Sequence, residues 1–278
     1  MTAIVSAVAE AEKVSSLPTH ADRPERTIHW FSPRNLLRGA IPLAVLAGWW
    51  FVSETGIVST VIFPSPTHVL DAFVGLVRTG ELQEALPVSL ARAGLGLLIG
   101  LAAGLFFGIV NGLFRRSEEL FDSSFQIIRQ VPFIATVPLF IIWFGIGEET
   151  KIIIIALACV FPIYLNTYAG VRHVDPKLIE AGQVFGLGPV KRIVAIVLPA
   201  ALPSILVGVR FSMGVSLLAL VLAESINSRS GIGFIIAIAQ GAIRVDIIIA
   251  AILIYALLGV IVDVIMRVLE RRLLPWKA

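Results

Sequence analysis

Apolar runs long enough to cross a bilayer dominate this chain and leave it few folds. A helix needs about 20 mostly apolar residues to span the hydrocarbon core. Gly39–Ser53, Ser89–Phe114, Ile152–Ala169, Ala201–Ala223 and Ile247–Met266 approach that requirement, and Pro132–Ile146 forms a shorter sixth candidate. The fold class read from these runs is all-α integral membrane, with about six transmembrane helices. Composition agrees: 57% of the 278 residues are hydrophobic and 15% are charged, against roughly 25% charged in soluble domains. That excludes a soluble enzyme, a nucleic-acid binder and a disordered regulator. The single cysteine, Cys159, rules out an intrachain disulfide. His20, His29, His68 and His173 have no metal-ligand spacing.

Six spans place both termini on one side, and the basic residues choose that side. With the termini inside, sixteen of the 22 Lys and Arg fall on the cytoplasmic side. Arg78, Lys151, Arg229 and Arg244 fall outside, while Arg92 and Arg210 lie within spans. Three regions follow: a flexible cytoplasmic tail over 1–38, a membrane domain over 39–272 and a short cytoplasmic tail over 273–278. Residues 1–34 lack a long apolar core and do not read as a secretory signal.

Gly96, Gly100, Gly104, Gly108 and Gly112 recur every four residues in the second span. On a helix they form a groove that admits another helix closely, within the bundle or at a dimer seam. Ser117–Val131 alternates with helical period and is expected to lie along the inner membrane surface. Pro132 and Pro138 can bend the helix that follows, and Pro162, Tyr164 and Asn166 give the fourth span a polar, bent inner half.

Arg210 stands eleven residues beyond Pro199, about 16 Å along a helix and near the bilayer midplane. A cation there requires a carboxylate or carbonyl partner, or an anionic substrate in passage. Glu224, Glu54 and Asp263 sit near span ends and read as interfacial or paired. No chain of acids runs through the spans, no catalytic cluster can be assembled at one depth, and no inverted repeat appears. Gly231–Ile243 is apolar but too short to span, and reads as a re-entrant or surface helix on the outer face.

The loop Val171–Pro199 carries the most specific signal. Asp175-Pro176 supplies an N-cap and a first-turn proline, and Gly186 and Gly188 then stop the helix. Leu178, Ile179, Ala181 and Val184 are its apolar contact residues, with Lys177 and Glu180 as polar ones. Glu180-Ala181-Gly182, Gly186, Ile196, Leu198 and Pro199 stand at the spacing EAA-x3-G-x9-I-x-LP, with Gly182 where the pattern has a second Ala. This loop resembles the EAA loop of ATP-binding-cassette (ABC) importer permeases. Further likeness runs from about Gly39 to the end and points to the nitrate/sulfonate/taurine branch. It includes Phe63-Pro64-Ser65-Pro66, Ser89-Leu90-Ala91-Arg92, Val207-Gly208-Val209-Arg210-Phe211 and Ala223-Glu224-Ser225-Ile226 with Ser230-Gly231-Ile232-Gly233. The last pair is most similar to aliphatic sulfonate permeases.

The resemblance implies a type I ABC importer permease fold with a cytoplasmic coupling helix, in a bacterial inner membrane. It implies a homodimer, two ABC ATPase subunits on the cytoplasmic side and an extracytoplasmic binding protein. It implies that this chain is no enzyme and binds no cofactor, ATP and Mg belonging to the partner ATPase. Consistently, the sequence contains no G-x-x-x-x-G-K-[ST] phosphate loop. Glu180 and its motif neighbours would couple to the ATPase, while Arg210, Ser212, Ser216 and Asn166 are the polar candidates for the substrate path. Aliphatic sulfonates are the expected cargo. Taurine, nitrate or bicarbonate are the alternatives, and an ion-coupled secondary transporter is the rival class.

Overall fold

The computed structural model describes residues 33–56, 58–114, 117, 127 and 130–277. Among the described residues the regular structure is entirely helical. The chain divides into two units, Met1–Phe51 and Val52–Ala278. In the first, the described residues belong to helix α1 (Pro33–Glu54). The helices of the second are α2 (Pro66–Arg78), α3 (Glu81–Leu113), α4 (Phe133–Phe144), α5 (Glu148–Arg172), α6 (Pro176–Val184) and α7 (Pro189–Arg192). A π turn over Ile193–Val197 leads into α8 (Leu198–Asn227), followed by α9 (Ile232–Gly241) and α10 (Val245–Leu273).

Among the described residues, four helical runs are long and apolar enough to cross a membrane: α3, α5, Pro189–Ile226 and α10. The other two expected spans are shorter. The described apolar part of α1 covers Ala40–Glu54, and α4 has 12 residues, about 18 Å of helix against a core of about 30 Å. The chemistry of its ends sets the length of α4. Pro132 precedes it without a side-chain cap, and Gly145 ends it at φ +77°, a conformation that glycine adopts without steric cost. Most of the amphipathic stretch expected over Ser117–Val131 lies outside the described residues.

The α3–α5 pair is the closest in the bundle, and its sequence basis is plain. Cβ atoms added to Gly96, Gly100, Gly104, Gly108 and Gly112 would come within 2.5–2.8 Å of Ile155, Cys159, Ile163, Thr167 and Val171 respectively. Those partners also recur every four residues, so each bare glycine faces a side chain that fills its gap. The glycine row serves packing inside the chain, as the intrachain reading of the groove expects. Helix α8 meets α5 in the same way, with Gly170 against Ala201 and Ser204, and Gly208 against Pro162 and Asn166.

These contacts enclose a core of Ala93, Ile155, Cys159, Ile163, Ala219 and Leu220. A second cluster joins Leu76 of α2 and Ala85 of α3 to Ile232, Ile235 and Ile236 of α9 and to Ala251, Ile254 and Leu258 of α10. The short apolar helix expected after Glu224 is therefore α9, and Ile232, Gly233, Ile235, Ile236 and Ala239 are buried in it. Helix α2 starts where Ser65 accepts a hydrogen bond from the His68 amide, with Pro66 in its first turn.

The glycine row makes a sharp prediction. Gly104→Val should lower the thermal unfolding midpoint of the detergent-solubilised chain, at a cost of about 1–3 kcal/mol from overpacking. Gly94→Ala adds its methyl where nothing lies within 4 Å, and should leave the midpoint unchanged or raise it slightly. Equal midpoints for the two variants would refute the close-packing account.

Candidate functional site

The motif loop folds as a compact helical corner. Asp175 Oδ1 accepts the Lys177 amide at 2.9 Å and caps α6. At the other end the Leu187 amide donates to the Gly182 carbonyl at 3.0 Å and the Gly186 amide to Gln183 at 2.9 Å. With Gly186 at φ +73°, this is a Schellman termination, which needs a left-handed residue at that position. Two motif positions touch: a Cβ on Gly182 would lie 2.5 Å from Ile196 Cδ1. Glycine in place of the pattern's second alanine therefore gives Ile196 its room. Leu198 opens α8, with Pro199 in its first turn.

Of the apolar residues expected to make contacts here, Ile179 packs against Val171, Val174, Val197, Ala201 and Ile205. Leu178, Ala181 and Val184 remain exposed, as does Glu180. Val184 at 86% and Phe185 at 83% exposure form an apolar tip.

The four polar candidates of the spans do not converge. Arg210 is 42% exposed and donates to Glu270 at 3.0 Å, with Asp263 at 3.9 Å; Asp263 also pairs with Arg267. Ser212 is fully buried on the α5 side, donating to the Cys159 carbonyl at 3.0 Å. Ser216 donates to the Met213 carbonyl and Asn166 Nδ2 to the Pro162 carbonyl. Arg210 thus faces α10, whereas Ser212 and Asn166 face the α5–α8 contact.

At the opposite end of α5 and α8 from the motif loop, the structure assembles an ionic cluster that the sequence reading did not. Every N–H of the Arg92 guanidinium is used. Nε and Nη2 hold Glu148 at 2.5 and 2.6 Å, Nη1 holds Glu224 at 2.6 Å and the Ser230 carbonyl at 2.7 Å, and Nη2 also reaches Ser230 Oγ at 3.2 Å. Lys151 Nζ joins Glu148 at 2.7 Å. Arg92, Lys151 and Glu224 are buried, while the Glu148 side chain is 57% exposed.

Glu224 takes further bonds from Ser89 Oγ at 2.9 Å and from the Gly233 amide at 2.9 Å. Ser89 Oγ in turn accepts the Ile232 amide at 2.9 Å. Gly231 offers no capping side chain at the start of α9. Side chains from α3 and α8 therefore receive its first amides, and the carboxylate also meets the positive end of that helix. The glycines flanking Ile232 have a reason here, since a Cβ on either would collide with Glu224.

Two sequence signals could have revealed the cluster. Arg92 is a cation inside a span and Glu224 a carboxylate near the end of another, and each alone implies a partner. The motifs Ser89–Arg92, Ala223–Ile226 and Ser230–Gly233 are brought together by the fold.

The model of binding-protein-dependent transport system inner membrane components matches residues 96–275. Two aliphatic sulfonates transport permease proteins are similar over most of their length. The one from Bacillus subtilis is 40% identical, with 96% of this chain and 98% of that protein covered. The one from Escherichia coli is 44% identical, covering 85% and 90%. The Escherichia coli taurine transport system permease protein is 34% identical over 90% of this chain and 94% of its own. Among solved structures, a chain of an amino acid ABC transporter crystallised with histidines aligns at TM-score 0.60. It is 19% identical and covers 72% of this chain and 98% of its own. A chain of the inward-facing MetNI methionine ABC transporter aligns at 0.54, also 19% identical, covering 71% and 95%. At that identity the likeness is one of fold, that of the type I ABC importer permeases.

Removing one partner from a buried ion pair strands the other. Glu224→Ala should therefore cost about 3–5 kcal/mol, read as a large fall in the thermal unfolding midpoint. Asp246→Asn weakens the pair with Arg244, whose guanidinium stands at the surface, and should cost about 1 kcal/mol or less. A Glu224→Ala protein as stable as the Asp246→Asn control would overturn this reading of the cluster.

Proposed function

The chain belongs to the family of binding-protein-dependent transport system inner membrane components, and from that premise we propose that it imports aliphatic sulfonates. Its 40–44% identity to two aliphatic sulfonate permeases, against 34% to a taurine permease, carries the substrate assignment. The chain is the transport subunit and not an enzyme. It binds no cofactor, and ATP and its Mg belong to the ATPase. Taurine, a sulfonate with an added ammonium, is the second reading.

In this reading two copies of the chain meet around a central pathway in the inner membrane, with the termini and α6 on the cytoplasmic side. Two ATPase subunits dock below and a binding protein delivers the anion from above. The exposed tip of Val184 and Phe185 beside Glu180 supports α6 as the docking element, because apolar side chains at full exposure gain most from a covering partner. Glu180, Ala181, Gly182, Gly186, Ile196, Leu198 and Pro199 form one rigid corner that leads directly into α8. A push on α6 therefore reaches the membrane without a slack loop. ATP binding draws the two corners together and opens the pathway outward, and hydrolysis returns it inward.

Arg210 supports a wet or covered face on α8. An exposed cation within a membrane helix faces water or a second chain in preference to lipid. There it lowers the barrier for a permanently charged sulfonate, while Glu270 and Asp263 keep it from binding the anion too tightly. Asn166 and Ser212 turn instead to the α5–α8 contact, so in this reading Arg210 is the polar candidate that serves this face.

Two experiments test the proposal. The chain is co-expressed and purified with its ATPase and binding protein, and ATP hydrolysis is followed with ethanesulfonate, taurine or nitrate on the binding protein. Stimulation by ethanesulfonate above the others is expected; stimulation by nitrate alone would replace the substrate. Glu180→Lys should reduce ATPase co-purification and uptake at least ten-fold while membrane insertion stays normal. Undiminished uptake would remove α6 from the coupling path.

A further inference from the structure

The charge balance of the Arg92 cluster holds an observation that its structural role does not use. Three of its ionised groups, Arg92, Lys151 and Glu224, are buried, at 3%, 4% and 0% exposure, and together carry one net positive charge. The group that neutralises them, Glu148, is the exposed one. Its carboxylate receives two N–H groups of Arg92 side by side and the Lys151 ammonium from a third direction. Three charge-assisted bonds therefore converge on two oxygens that stand at the protein surface. Glu224 binds from below and cannot follow Glu148 out, because Ser89, Gly233 and Arg92 hold it.

We propose that Glu148 is a displaceable occupant of a monoanion site, and that a sulfonate head replaces it on Arg92 and Lys151. The inference rests on the importer reading above and specifies where the substrate first meets this chain. Two sulfonate oxygens match the parallel Nε and Nη2 donors as a carboxylate does, and a third oxygen is free for Lys151. A monoanion restores neutrality, whereas a dianion leaves an excess charge beside Glu224. The exchange requires no helix movement. Interlocked glycines hold α3 and α5 together, so Glu148 leaves by rotating its own side chain into solvent. The exchange lies at the end of α5 and α8 opposite the motif loop, which is where a binding protein would release its cargo.

The test uses the permease–ATPase complex in detergent, with ethanesulfonate and acetate titrated by calorimetry into wild type and variants. Glu148→Gln removes the competing charge and should bind ethanesulfonate at least ten-fold more tightly than wild type. Adding Lys151→Met to Glu148→Gln should cancel that gain, which separates this site from Arg210. Should Glu148→Gln fail to co-purify with the ATPase, Glu148→Asp retracts the carboxylate by one carbon and should give a smaller gain of the same sign. Unchanged affinity for both anions in a variant that still assembles would overturn the proposal. A gain for acetate with none for ethanesulfonate would overturn the sulfonate occupant. Failed ATPase stimulation by loaded binding protein, with the ethanesulfonate gain intact, would instead fault the importer reading.

Discussion

The rest of the bundle depends on the interlock of α3 with α5. In a bilayer the lipid tails are as apolar as leucine, so helices gain little by merely hiding from solvent. What holds them is close, continuous contact. Five glycines facing Ile155, Cys159, Ile163, Thr167 and Val171 provide that contact over about four turns. The pair becomes a rigid slab against which α8 docks through Gly170 and Gly208. Residues on α3 and α5 consequently keep fixed positions relative to one another. Arg92, Glu148 and Lys151 can meet at ångström precision because the slab leaves them no freedom to separate.

Buried charge imposes the second constraint. Taking ions out of water costs more than a single partner returns, and every remaining donor and acceptor must be met. Arg92 satisfies all its N–H groups, and Glu224 receives bonds from α3, from the start of α9 and from Arg92. One network thereby orders three helix ends and the loop 228–231. It also explains Ser230-Gly231-Ile232-Gly233, a local sequence with no secondary-structure logic of its own. Serine supplies its carbonyl and hydroxyl to Arg92, and the glycines make way for a carboxylate from another helix.

Much of the architecture was legible in the sequence. Apolar length marked α3, α5, α8 and α10, a fixed glycine period marked the α3–α5 contact, and Asp175-Pro176 with Gly186 bracketed α6 to within a residue. The sequence concealed what depends on pairing across long separations. Arg92 and Glu148 stand 56 residues apart and Arg92 and Glu224 stand 132 apart, so no local pattern joins them. Arg210 implies a partner from its place in a span, but no local pattern shows that the partner, Glu270, comes from the far end of α10. The shortness of the Pro132–Ile146 run was legible too, since Gly147 and Glu148 follow it, and α4 ends at Phe144 because Gly145 turns the backbone away at φ +77°.

The direct passage from the motif loop through the π turn into α8 makes that helix a lever. It meets α5 closely at Ser204 and again at Gly208, and the second point stands about ten residues from one end and sixteen from Glu224 near the other. At 1.5 Å per residue the arms are roughly 15 and 24 Å. A tilt about that pivot moves the Glu224 end farther than the loop end, by about half as much again. Such a displacement arrives where Glu224 meets Arg92, so the contact least able to stretch sits at the tip with the greatest travel.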